Sequence, residues 1–170
     1  MKVRPVIVSE VIDDIRRIFQ VIKEKSKKVE AETQLTGSQL WVIKILSESP
    51  SIKVSELASR MYLHPATMVG LLDRLESKGL VKRVRSKKDR RVVHVELTSQ
   101  GQSVVESSPE VVQRLLASGL EHLSDAEIKE TSVGLRHIVK ILGVENAPPQ
   151  LIMSTELNIP EPAGPVNRET

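Results

Sequence analysis

Between Pro50 and Gly79 the chain holds two amphipathic segments, each too short to persist as an isolated helix. The first covers about residues 53–61 and turns Val54, Leu57, Ala58 and Met61 inward. The second runs to about Lys78, with Met68, Leu71, Leu72 and Leu75 as its apolar stripe. Only Tyr62-Leu63-His64 separates them. Pro65 suits the first position of the second helix, where its missing N–H is harmless, and Gly79 suits its stop. Two short helices held by so tight a turn must be stabilised by packing rather than by propensity.

The flanking sequence supplies the packing partners. Residues 6–32 read as a helix, with Val11, Ile15, Ile18, Phe19 and Ile22 at three- and four-residue spacing. A helix beginning near Thr36 carries a capping-box pair, Thr36 with Gln39, and a hydrophobic staple, Leu35 with Leu40; Pro50 ends it. After Gly79, residues 80–85 and 92–97 alternate as strands, joined by the charged loop 86–91. Thr98 or Ser99 can cap a further helix that Pro109 should kink or interrupt. Ser124 with Glu127, flanked by Leu123 and Ile128, opens a last helix that Gly143 closes. Residues 144–170 contain five of the nine prolines and read as extended or disordered, or as a segment lying against a partner subunit.

Composition removes several functions. There is no cysteine, so disulfides, thiolate metal sites and thiol sensing are absent. His64, His94, His122 and His137 form no metal-ligand spacing. No Gly-rich phosphate loop, nucleophile elbow or paired carboxylates appear, so neither an enzyme nor a cofactor is implied. No apolar run approaches the ~18–20 residues of a membrane span, and the N-terminal residues make no secretory leader, so the expected location is cytoplasmic.

Charge is unevenly distributed. The last 27 residues hold four acids and one base; removing them from the chain's 25 bases and 22 acids leaves 24 and 18, a net of +6. Seven bases (Lys82, Arg83, Arg85, Lys87, Lys88, Arg90 and Arg91) fall between Leu80 and Arg91, opposed within that stretch by Asp89 alone. Such a cluster is either a phosphate-binding footprint or a solvated hairpin. The helix just before it shows Ala66, Thr67, Val69, Gly70, Arg74 and Ser77 on its outer face. That face is small and lightly polar, and suits close approach to a DNA groove. A plain helical hairpin in a core is the other reading.

The run Lys88-Asp89-Arg90-Arg91-Val92-Val93-His94-Val95-Glu96-Leu97-Thr98-Ser99-Gln100-Gly101 resembles the wing signature of the MarR family of regulators: Asp-x-Arg, a strand, Leu-Thr, and a Gly three residues on. Ser55-Glu56-Leu57-Ala58 and the run from Leu72 to Val81 are similar to the family's helix-turn-helix. The likeness spans about residues 36–101. It implies a mainly α fold with a small β-hairpin wing: a winged helix-turn-helix at 35–98, an N-terminal dimerisation helix at 1–34, C-terminal dimerisation helices at 99–143 and a Pro-rich tail at 144–170.

The resemblance further implies a homodimeric, sequence-specific transcriptional regulator, a repressor, binding pseudo-palindromic double-stranded DNA. Pro65, Ala66, Thr67, Val69, Gly70 and Arg74 become the major-groove face, and Lys87, Lys88, Arg90 and Arg91 the wing. Ser38 becomes a phosphate contact. Asp89 either holds a neighbouring guanidinium or is an ordinary turn residue. His64 stands where a better N-cap is expected; it either touches a phosphate or is a weak cap facing solvent. Gly70 offers no side chain where many members carry one. A small anionic or aromatic effector would occupy a cleft near Trp41, Ile45 and the end of the first helix, residues whose ordinary reading is core packing. A winged helix used as a protein-interaction adapter is the alternative, and the basic wing weighs against it.

Overall fold

The computed structural model describes residues 3–86, 92–154 and 158. In chain order the elements are α1 (Val3–Thr33), α2 (Gly37–Glu48), β1 (Ile52–Lys53), α3 (Val54–Arg60), α4 (Pro65–Ser77), β2 (Val81–Arg85), β3 (Val93–Leu97), α5 (Ser99–Ser107), α6 (Val112–Glu121) and α7 (Asp125–Ile141). The predicted mainly α fold with a hairpin is what is found.

Helix α2 is the hub. It is buried continuously from Gly37 to Leu46 and packs against α1, α4, α5, α6 and β3. A helix covered on every side needs apolar residues all round, and Leu40, Trp41, Val42, Ile43, Ile45 and Leu46 supply them. Its start is fixed locally. The Gln39 N–H donates to Thr36 Oγ1 at 3.3 Å, and the Thr36 N–H donates to Gln39 Oε1 at 3.2 Å, completing the expected box. Leu35 and Leu40 are both buried beside it.

The stripe of α4, Met68, Leu71, Leu72 and Leu75, packs into the same core. Gly79, at φ +71°, ends that helix in a Schellman turn: the Leu80 N–H donates to Leu75 O at 3.0 Å and the Gly79 N–H to Glu76 O at 2.9 Å. The chain then enters a three-stranded antiparallel sheet ordered β1-β3-β2, with Val81 opposite Leu97 and Arg83 opposite Val95. Strand β1 has no counterpart in the sequence reading. Two residues show no alternation, and Ile52 is a strand residue only because Val95 lies opposite it.

Pro109 interrupts rather than kinks. Helix α5 stops at Ser107 and α6 starts at Val112, because proline neither donates an N–H nor tolerates a helical residue before it. Ser124 caps α7 in the expected box with Glu127. The two bonds from Ser124 hold the Glu127 carboxyl below the ordinary carboxylate value of 4.5. No helix among the described residues is long and apolar enough to cross a membrane.

The first part of the tail is attached to the body of the chain. Leu151 is buried in the subunit's own core cluster, and Gln113 Nε2 of α6 donates to Ile152 O at 3.3 Å. Residues 149–154 are therefore docked on their own subunit. The apolar run Leu151-Ile152-Met153, read from the sequence as able to lie against a partner subunit, places Leu151 in its own subunit's core, because a short run with large apolar side chains docks wherever a groove accepts them.

Candidate nucleic-acid interface

Helix α4 sits on the core through one stripe and turns its remaining surface outward. Pro65, Val69, Gly70 and Arg74 are exposed; Ala66 and Thr67 are half-buried. A Cβ placed on Gly70 would meet nothing within 4 Å, so its bareness reflects open space rather than crowding. His64 precedes the helix with no side-chain cap bond, and its ring is exposed.

The hairpin is fastened to this helix by one arginine that sequence reasoning counted only as part of a basic cluster. Arg83 Nη1 lies 2.6 Å from Asp73 Oδ1 and 2.8 Å from Glu76 Oε2, both on α4. Its Nη2 donates to Val69 O at 3.1 Å, and its backbone N–H donates to Glu76 Oε1 at 3.2 Å. Arg83 thus spends its charge inside the protein. A planar guanidinium can meet two carboxylates and a carbonyl at once, which a lysine ammonium does less well. Lys82 is likewise committed, 3.1 Å from Glu96 Oε2 across the sheet. Of the seven clustered bases, two therefore serve the fold and Arg85 is exposed at the end of β2. The wing residues Lys87, Lys88, Asp89, Arg90 and Arg91 lie outside the described residues.

Ser38 requires correction. It is 3% exposed and lines a cavity rather than the surface, so it is not placed to meet a phosphate. It sits in the first turn of α2, but the body of the protein closes over that end of the helix. Trp41 lines the same cavity of about 620 Å³, between α2, the turn before α4, α6 and α7; Ile45 lines a smaller neighbouring cleft with Trp41, Glu48 and Arg114. The larger cavity is walled mainly by apolar side chains. Glu121 is the one charged group among its described lining residues, and it accepts a hydrogen bond from the Tyr62 hydroxyl. That bond, burial and the charge of Glu121 raise the Tyr62 pKa above its ordinary value.

The junction after the hairpin explains the Leu-Thr…Gly spacing. The Thr98 N–H donates to Leu80 O at 3.1 Å, and Thr98 Oγ1 donates to Gly79 O at 2.7 Å while accepting from the Gly101 N–H at 3.1 Å. Threonine therefore ties the turn after α4 to the first turn of α5. Gly101 is needed because α5 presses directly on the Leu80 backbone.

Comparison with known proteins bears on this arrangement. The MarR family model matches residues 35–93. The HTH-type transcriptional repressor MdtR of Bacillus subtilis (strain 168) is 30% identical over 132 residues, spanning 78% of this chain and 85% of MdtR. The chain belongs to the MarR family. Among solved structures, a MepR-like protein complexed with pseudoligands is similar at a TM-score of 0.54 and 27% identity, over 79% of this chain and 95% of that one. A cysteine-to-serine mutant of MarR from E. coli, complexed with operator DNA, is similar at a TM-score of 0.51 and 26% identity, over 76% and 96%. The family model spans α2 to Val93, the first residue of β3, and α3, the turn at residues 62–64 and α4 lie within it.

Proposed function

We propose that this MarR-family protein is a sequence-specific transcriptional repressor that binds pseudo-palindromic operators as a homodimer. Pro65, Ala66, Thr67, Val69, Gly70 and Arg74 face the major groove, and Lys87, Lys88, Arg90 and Arg91 reach the neighbouring minor groove. The observation that carries the reading is the outward face of α4: small, open at Gly70, and fixed to the hairpin by Arg83. Val69, 45% exposed, suits a thymine methyl. The similarity to MarR bound to operator DNA supports it.

The dimer reading rests on what a lone subunit leaves uncovered. Helix α7 runs 17 residues without one buried side chain. Phe19 is 68% exposed and Ile141 77%, with Ile18, Leu115, Leu116, Leu120 and Leu135 also open. Helices α1, α6 and α7 present these residues, and a second copy covering them accounts for their apolar character. Residues 35–98 then form the DNA-binding lobe, with residues 1–34 and 99–143 joining the subunits.

Selection of bound sequences from a random DNA pool tests dimer and function together: two half-sites should emerge with centres about 10 base pairs apart. Binding to random DNA should also weaken steeply with salt as counterions are released. A flat salt slope with no selected motif would instead favour the protein-interaction adapter. The cavity at Trp41 is the proposed effector site. With one carboxylate and no base among its described lining residues, it suits a neutral or cationic apolar ligand; of the anionic or aromatic effector that the resemblance implied, this favours the aromatic over the anionic. Tetraphenylphosphonium should quench Trp41 fluorescence and benzoate should not; the reverse order would reject this assignment.

A further inference from the structure

The docked tail does more than fill a groove. Pro149, Gln150, Leu151 and Ile152 line the Trp41 cavity together with Leu116 and Leu120 of α6. Asn158 then reaches the turn between α3 and α4. Its Nδ2 donates to Tyr62 O at 3.2 Å, and its Oδ1 accepts from the His64 N–H at 2.9 Å. Its own backbone N–H donates to Pro149 O at 2.7 Å, which fixes the reach of the side chain from the cavity wall.

The turn it grips combines a left-handed residue with a helix start that lacks a side-chain cap. Tyr62 has φ +55°, a left-handed conformation that a bulky side chain adopts at a cost. His64, the N-cap of α4, makes no side-chain cap bond. In a capping box the N-cap N–H is satisfied by a Glu or Gln at the third helical position; here that position is Thr67, and the His64 N–H is met from 94 residues away. An asparagine side chain is suited to this, because one planar amide donates to Tyr62 O and accepts from His64 N–H together. The Tyr62 hydroxyl is meanwhile tied to Glu121 of α6, so the turn is held at both its side chain and its backbone.

We propose that residues 149–154 with Asn158 are a built-in strap joining the effector cavity to the turn that aims the recognition helix, so that occupancy of the cavity is transmitted to α4 through Asn158. The consequence for DNA rests on the operator-binding reading above; the docking itself does not.

Trp41, the sole tryptophan, reports the cavity. In the full-length chain, Asn158→Ala should raise acrylamide quenching of Trp41 about twofold and weaken operator binding about fivefold to tenfold, while binding to random DNA stays unchanged. Ile152→Asp, which expels the strap at its apolar end, should produce the same pair of changes without touching the turn. Unchanged quenching in both variants overturns the strap. Altered quenching with unchanged operator affinity overturns the coupling to α4. If the parent protein binds no DNA yet quenching still rises in both variants, the operator-binding reading fails and the docked strap stands.

Discussion

Two of the helical glycines, Gly70 in α4 and Gly101 in α5, have opposite surroundings, and exchanging each for alanine should shift stability in opposite directions. At Gly101 a Cβ would fall 2.2 Å from Leu80 O and 2.9 Å from Leu97 Cδ2. Ordinary contact is more than an ångström longer for the first of these, and the obstacle is backbone. Helix α5 must therefore back away from the turn after α4. Overpacking of this kind costs ~1–3 kcal/mol. The retreat also stretches the Thr98 N–H to Leu80 O bond, worth ~1 kcal/mol. Gly101→Ala should thus cost about 3 kcal/mol and lower Tm by roughly 6–12 °C for a chain of this size. At Gly70 nothing lies within 4 Å, and alanine gains up to ~1 kcal/mol of helix propensity, raising Tm by about 2–4 °C. Thermal unfolding followed by circular dichroism at one fixed protein concentration measures both, since association shifts Tm with concentration. A Gly101→Ala variant melting within a degree of the parent would refute the account of the Leu-Thr…Gly spacing. So would equal losses in the two variants, which would mean that helix context rather than the Leu80 contact decides.

Other substitutions test the remaining elements. Arg83→Met should weaken operator binding severalfold more than it lowers stability, because it unfastens the hairpin from α4 while keeping the packing stem; titration with operator DNA beside a melting curve checks this, and equal affinity would return Arg83 to a plain surface charge. Phe19→Asp should convert a species of twice the 18.9 kDa chain mass into single chains in sedimentation, and an unaltered mass would place the dimer contact elsewhere. Glu127 has a depressed folded-state pKa, so its cap supports α7 fully above about 4.5 and ceases to as pH falls through the folded value. Ser124→Ala should therefore melt below the parent at neutral pH, with the gap closing on acidification below 4.5; a gap that is constant with pH would show that the carboxylate is not part of the cap.

The sequence by itself determined the features whose partners lie within a few residues. The boxes at Thr36–Gln39 and Ser124–Glu127, Pro65 at the start of α4 and Gly79 at its end are contacts spanning three to five positions. The stripe of Met68, Leu71, Leu72 and Leu75 follows from helical period alone. The outward residues of α4 were legible for the same reason, as the complement of that stripe. Tertiary structure decided everything whose partner is remote. Ile52 becomes a strand only opposite Val95. Arg83 leaves the phosphate-binding cluster because Asp73 and Glu76 happen to lie across the turn from it. Ser38 is withdrawn from the surface because it lines the Trp41 cavity. Asn158 is tied to the turn before α4 because it finds backbone groups 94 and 96 residues earlier in the chain. Periodicity and capping record what a residue does to its own helix turn; which distant surface it meets is set by how the helices pack, and no local pattern encodes that.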